Sequence, residues 1–142
     1  MSDKRLIEKK FETPRFQEEF LKGLDNLGFA LEVCAEDSKD PDEFADCLWK
    51  SPDYREARGF LCGLVKGATS EVDFMWDECN KFVDYPLTKT VFGEFFGFSS
   101  AYSFELLKED INPALESGKA LNRELLWEEY ADEVVEWAVP RR

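Results

Sequence analysis

Cys34, Cys47, Cys62 and Cys79 have the most versatile chemistry in this sequence, and their spacing restricts it at once. The intervals are 13, 15 and 17 residues with no Cys-x-x-Cys pair, so neither a zinc ribbon nor a thioredoxin-like dithiol is built. An even number permits two disulfides. The opening Met1-Ser2-Asp3-Lys4-Arg5-Leu6-Ile7-Glu8-Lys9-Lys10 lacks the apolar stretch of a secretory signal, which predicts a cytoplasmic chain with reduced, structural thiols. Histidine is absent from all 142 residues. That removes Ser-His-Asp and Cys-His nucleophiles, imidazole-built zinc sites and the Glu-x-x-His pairs of di-iron bundles.

Carboxylates are the remaining candidates for acid/base work, but 31 Asp and Glu guarantee chance pairs. The discriminating feature is a carboxyl in an apolar pocket with a raised pKa. Glu94, between Gly93 and Phe95-Phe96, is the position that suits this best, and an exposed place on a Phe-rich helix explains it better. Phe60 to Gly67 holds glycines and a lysine in the wrong order for a phosphate loop, inside an apolar helical stripe whose N–H groups are already paired. Asp37 to Glu43 lacks the glycine of a calcium loop and carries Pro41 and Lys39 within it. The sequence thus predicts no catalytic residue, no metal and no cofactor.

The elements that would position any site read as helices. Thr13-Pro14, Asp40-Pro41, Ser51-Pro52 and Asn112-Pro113 each set a capping residue before a proline, which suits the first helical position. Ser70 to Asp73 resembles a capping box. Phe16, Phe20, Leu24, Leu27, Leu31 and Cys34 fall in a stripe about 80° wide at 100° per residue. Ala57, Phe60, Leu61, Leu64, Val65 and Ala68 repeat the pattern, as do Val72, Met75, Trp76, Cys79, Phe82 and Val83. Trp127, Tyr130, Ala131, Val134, Trp137 and Ala138 form the last stripe, stopped by Pro140. Period-2 alternation is missing, and 88–98 reads as helix from the spacing of Phe92, Phe95 and Phe96. The expectation is an all-α, single-domain compact bundle of six or seven short-to-medium helices over 1–142, with residues 1–12 as a flexible N-terminal arm.

The net charge is −13, which opposes direct binding of nucleic acid or of an anionic membrane. The acids are clustered. Glu32 to Glu56 holds nine acids and three bases, Glu71 to Asp84 five and one, and Glu124 to Glu136 six and none. Six carboxylates over the 13 residues from Glu124 give roughly one charge per 3.3 Å, close to the about 3.4 Å of one duplex strand. Glu124, Glu128, Glu129, Asp132, Glu133 and Glu136 are therefore candidate partner-binding residues. Asp73, Phe74, Asp77 and Glu78 form a second candidate patch, with Phe74 as an aromatic anchor among acids.

In charge and size the chain is similar to small acidic helical DNA mimics and to nuclease-toxin immunity proteins. The expected function is a non-enzymatic inhibitor of a basic, nucleic-acid-handling protein, with phage or mobile-element counter-defence (anti-CRISPR or anti-restriction) favoured over toxin immunity. A solvated acidic surface with no partner is the plainer account of the same residues. Two rivals stand beside it: a helical adaptor, chaperone or structural protein whose apolar interface is the Phe-rich 91–98 segment, self-association included, and a carboxylate enzyme working with or without Mg²⁺.

Overall fold

The computed structural model describes residues 3–69, 79–109 and 126–137, and seven α-helices occupy most of them, with no strand among the described residues. They are α1 (Asp3–Phe11), α2 (Pro14–Asp37), α3 (Pro41–Lys50), α4 (Pro52–Ala68), α5 (Cys79–Phe92), α6 (Ala101–Lys108) and α7 (Trp127–Trp137). The all-α bundle that the periodicity predicts is the fold.

Three of the Pro-marked starts are built as the sequence implies. Thr13, Asp40 and Ser51 are extended N-caps whose side chains accept from the N–H of Phe16, Glu43 and Tyr54. At Asp40 the cap is reinforced, because Glu43 Oε2 accepts from the Lys39 N–H at 2.8 Å. The Asn112-Pro113 start and the Ser70 capping box lie outside the described residues.

The core side of α2 is the stripe read from the sequence: Phe16, Phe20, Leu24, Leu27, Leu31 and Cys34 are all buried. Phe11, Phe16, Phe20, Trp127 and Tyr130 form a nest of rings with centroids 4.7–6.4 Å apart. This nest joins α1, α2 and α7, and such contacts add about 0.5–1.5 kcal/mol per pair beyond area burial.

Four features differ from the sequence reading. Residues 3–11, expected as an arm, form α1 and bury Ile7 and Phe11 completely. The helix expected over 88–98 ends at Phe92. Gly93 takes φ +82°, which favours glycine, and its N–H closes on the Lys89 carbonyl at 2.9 Å. The following loop folds back on Thr88, whose hydroxyl donates to the Phe96 carbonyl and accepts from the Phe96 N–H. Phe60, placed by periodicity in the α4 core stripe, is 42% exposed. Finally, Cys34 and Cys47 are joined in a disulfide, where reduced thiols were expected, and Cys62 is disulfide-bonded as well. The reversal at Ser38–Asp40 brings the last turn of α2 against α3, a proximity that residue spacing alone does not reveal.

Candidate interaction surfaces and the buried pair between helices

α7 positions the acidic surface. Tyr130, Ala131 and Val134 are buried, and they hold the helix against α1 and α5. Successive residues are 100° apart, so Glu128, Glu129, Asp132, Glu133 and Glu136 fall within an arc of about 140° opposite that core face. Glu128, Glu129 and Glu136 are exposed, while Asp132 and Glu133 are half-buried. The face is thus a mixture of solvated and confined carboxylates.

Glu133 is the confined one. Its Oε2 is buried with no hydrogen-bond partner among the described residues. Partial burial raises its pKa, and the charge and hydrogen bonding of Glu136 one turn on raise it further. Lys89 of α5 pulls the other way. A carboxylate crowded by another carboxylate gains from an added cation.

Glu124, Asp73, Phe74, Asp77 and Glu78 lie outside the described residues. Of the candidate set, α7 therefore brings together Glu128, Glu129, Asp132, Glu133 and Glu136. Glu94, the position considered for a raised carboxyl, is exposed in the turn after α5. Among the described residues, no group of three or more Cys, Asp or Glu side chains is placed to hold a metal ion. No described helix is long and apolar enough to cross a membrane.

A buried ion pair escaped the sequence reading. Arg58 of α4 donates through Nε to Asp84 Oδ1 at 3.3 Å and through Nη2 to Oδ2 at 2.5 Å. Both residues are less than 10% exposed. The guanidinium also lies over the rings of Tyr54, at 5.0 Å, and Trp49, at 5.4 Å. Burial pushes the Asp84 carboxyl up to about 6, against the charge and hydrogen bond of Arg58.

The hydroxyls of Tyr54 and Tyr130 are buried with no partner among the described residues. Burial raises both of their pKa values, and the Asp84 charge raises them further. Asp84 thus acts electrostatically on α4 and α7 while bonding α4 to α5. The signal was present in α4: Arg58 lies between Tyr54, Ala57, Leu61 and Val65 on the buried face, where an unpaired charge would be intolerable.

In comparisons with known proteins, no family model, curated protein or solved structure matches the chain.

The second surface is the seam between α2 and α4. Gly23 allows the helices to meet closely, since a Cβ there would come within 2.6 Å of Leu61 Cδ2 and 3.1 Å of Phe60 Cδ1. Outside that contact runs a groove of about 590 Å³ lined by Glu19, Lys22, Asn26, Phe29, Asp53, Glu56, Ala57 and Phe60. Phe29, Val33 and Phe60 are 55%, 37% and 42% exposed. Exposed apolar surface therefore lies on α2 and α4 more than on the Phe-rich 91–98 segment, where Phe96 and Phe98 are buried and Phe95 is exposed.

Proposed function

We propose that this chain is a non-enzymatic binding protein that occupies a basic, nucleic-acid-handling site of another protein and competes there with the nucleic acid. The observation that carries the reading is the outward face of α7, where Glu128, Glu129, Asp132, Glu133 and Glu136 share one arc and Glu133 is crowded by Glu136. A partner's Lys or Arg side chains would relieve that crowding, and the field of the charged face would speed encounter. Counter-defence against a restriction or RNA-guided nuclease is the setting that this charge density suits.

The test uses the full chain immobilised at low salt, with captured proteins eluted by rising NaCl and then challenged with duplex DNA. The reading expects a nucleic-acid-binding protein whose retention DNA competes away. It also expects capture to fall by about tenfold or more when Glu128→Gln, Glu129→Gln, Asp132→Asn and Glu133→Gln are combined. Retention that ignores DNA, or potency unchanged in the amide variant, would overturn it.

A further inference from the structure

We propose that the Cys34–Cys47 bridge is a thiol-exchange site, opened by a dithiol reductant, and that its state controls how firmly α3 is docked. The bond ties the last turn of α2 to α3. Cys34 is buried, whereas Cys47 is half-buried. Both line a hollow of about 370 Å³, together with Phe29, Val33, Lys50 and Ser51. Phe29, Val33 and Lys50 are exposed, so the hollow opens to solvent and leads a small thiolate to the bond in the folded chain. Access of this kind separates the labile, regulatory disulfides from the sealed ones.

The exchange is written for a dithiol. One of its thiolates attacks Cys47 Sγ, the more exposed sulfur, and a mixed disulfide forms as the Cys34–Cys47 bond breaks. Cys34 Sγ leaves with the electron pair and takes up a proton. The second thiolate of the reductant then attacks its own sulfur in the mixed disulfide and releases Cys47 Sγ as a thiol. The reductant ends as a cyclic disulfide, oxidised by two electrons, and the bridge ends as two thiols.

The position of the bond gives this chemistry a structural readout. With only ten residues, α3 is shorter than the about 12–15 that a helix needs to stand alone. Its fully buried side chains are Phe44 and Leu48, and Phe44 meets Phe104 of α6 at 5.4 Å. Once the bond is open, these two side chains and the caps are what keep α3 in place, which puts it among the segments that open locally first. Trp49 follows two residues after Cys47, and its ring covers the Arg58 guanidinium at 5.4 Å. Undocking of α3 therefore draws a ring off the residue that pairs with Asp84, and carries the redox state of the bridge to α4 and α5.

The test is a titration of the full chain with dithiothreitol under native conditions. Alkylation is resolved by site, and hydrogen exchange is followed by mass spectrometry. Cys34 and Cys47 should become alkylated while the helical circular dichroism persists. The amides of 41–50 should then exchange about tenfold faster or more, while those of 16–31 in α2 hold their rate. Reoxidation should restore slow exchange. The Cys34→Ser, Cys47→Ser double variant should show fast exchange in α3 without reductant and no further rise with it, which separates this bond from the one at Cys62. The change in tryptophan emission on reduction should vanish in Trp49→Phe.

Alkylation of Cys34 and Cys47 only where the helical signal is lost would make the bridge a sealed staple and overturn the proposal. Reduction that leaves exchange in α3 unchanged overturns it too. Emission that still changes in Trp49→Phe overturns the link to Arg58. Should the double variant fail to fold, the reversible titration of the parent decides, because alkylation by site shows which bond each rise in exchange follows. None of these outcomes bears on the acidic face of α7.

Discussion

Arg58 and Asp84 show how much one pair of residues can fix. Two charges inside a helical bundle are tolerable because each neutralises the other and because the guanidinium is also covered by two aromatic faces. Removing one partner leaves the other buried and uncompensated. Asp84→Ala should therefore lower stability by roughly 3–5 kcal/mol in urea unfolding, while replacing both residues with leucine should cost far less than that. The same carboxyl gives the stability a pH dependence with a definite sign. Unfolded, it titrates near the ordinary 3.8; folded, burial holds it at about 6. The folded chain binds the proton more tightly, so this contribution is complete below 3.8 and is lost as pH rises through about 6. Glu133, also raised, acts in the same direction. The urea midpoint should be higher near pH 5 than at pH 7, with a smaller difference in Asp84→Asn. A midpoint that climbs with pH across this window would show that the pair titrates the other way.

The helices were the legible part of the sequence, because caps and apolar spacing are local signals. Thr13, Asp40 and Ser51 announced their helices, and the α2 stripe from Phe16 to Cys34 was complete. What failed was non-local. Phe60 satisfies the period of α4 yet sits at the rim of the α2–α4 seam, where it shares the contact with Gly23 with the buried Leu61 and stays 42% exposed. The disulfide depends on how α3 turns back, and Asp84 became legible only as the answer to Arg58. Of the candidate site, the acidic arc of α7 was readable from the wheel, whereas the confinement of Glu133 depends on α5. Two substitutions probe this scale. Gly23→Ala should destabilise by about 1–3 kcal/mol, because the new methyl must displace Leu61. Gly63→Ala, in open space within a helix, should stabilise the fold by about 0.8–1 kcal/mol. Removing the Cys34–Cys47 bridge, which spans 13 residues, should cost about 3 kcal/mol, measured as the difference in unfolding free energy between the parent and the Cys34→Ser, Cys47→Ser double variant without reductant.

At the scale of the molecule the question is whether −13 is a burden carried for a purpose or simply a solubilising coat. The two differ in stability as well as in binding. On α7 like charges face each other at Glu128–Asp132, Glu129–Glu133 and Asp132–Glu136, one turn apart, and at Glu129–Asp132 and Glu133–Glu136, three residues apart. Each such pair costs about 0.2–0.5 kcal/mol, so the face stores on the order of 1–2 kcal/mol of repulsion. Glu128 and Glu129 recover some of this in the first turn, where the helix dipole favours negative charge, but Glu136 in the last turn does not. Glu136→Gln should therefore raise Tm by about one to three degrees at low ionic strength, with the gain shrinking as salt shortens the screening length to about 8 Å near 0.15 M. If the same variant also loses its partner, the acids hold stability below its reachable value in return for binding, as functional surfaces commonly do. If it gains stability and loses nothing, the face is a coat. A Tm that falls on neutralisation would mean that Glu136 makes stabilising contacts within the fold, and α7 would no longer be the place to look for the interface.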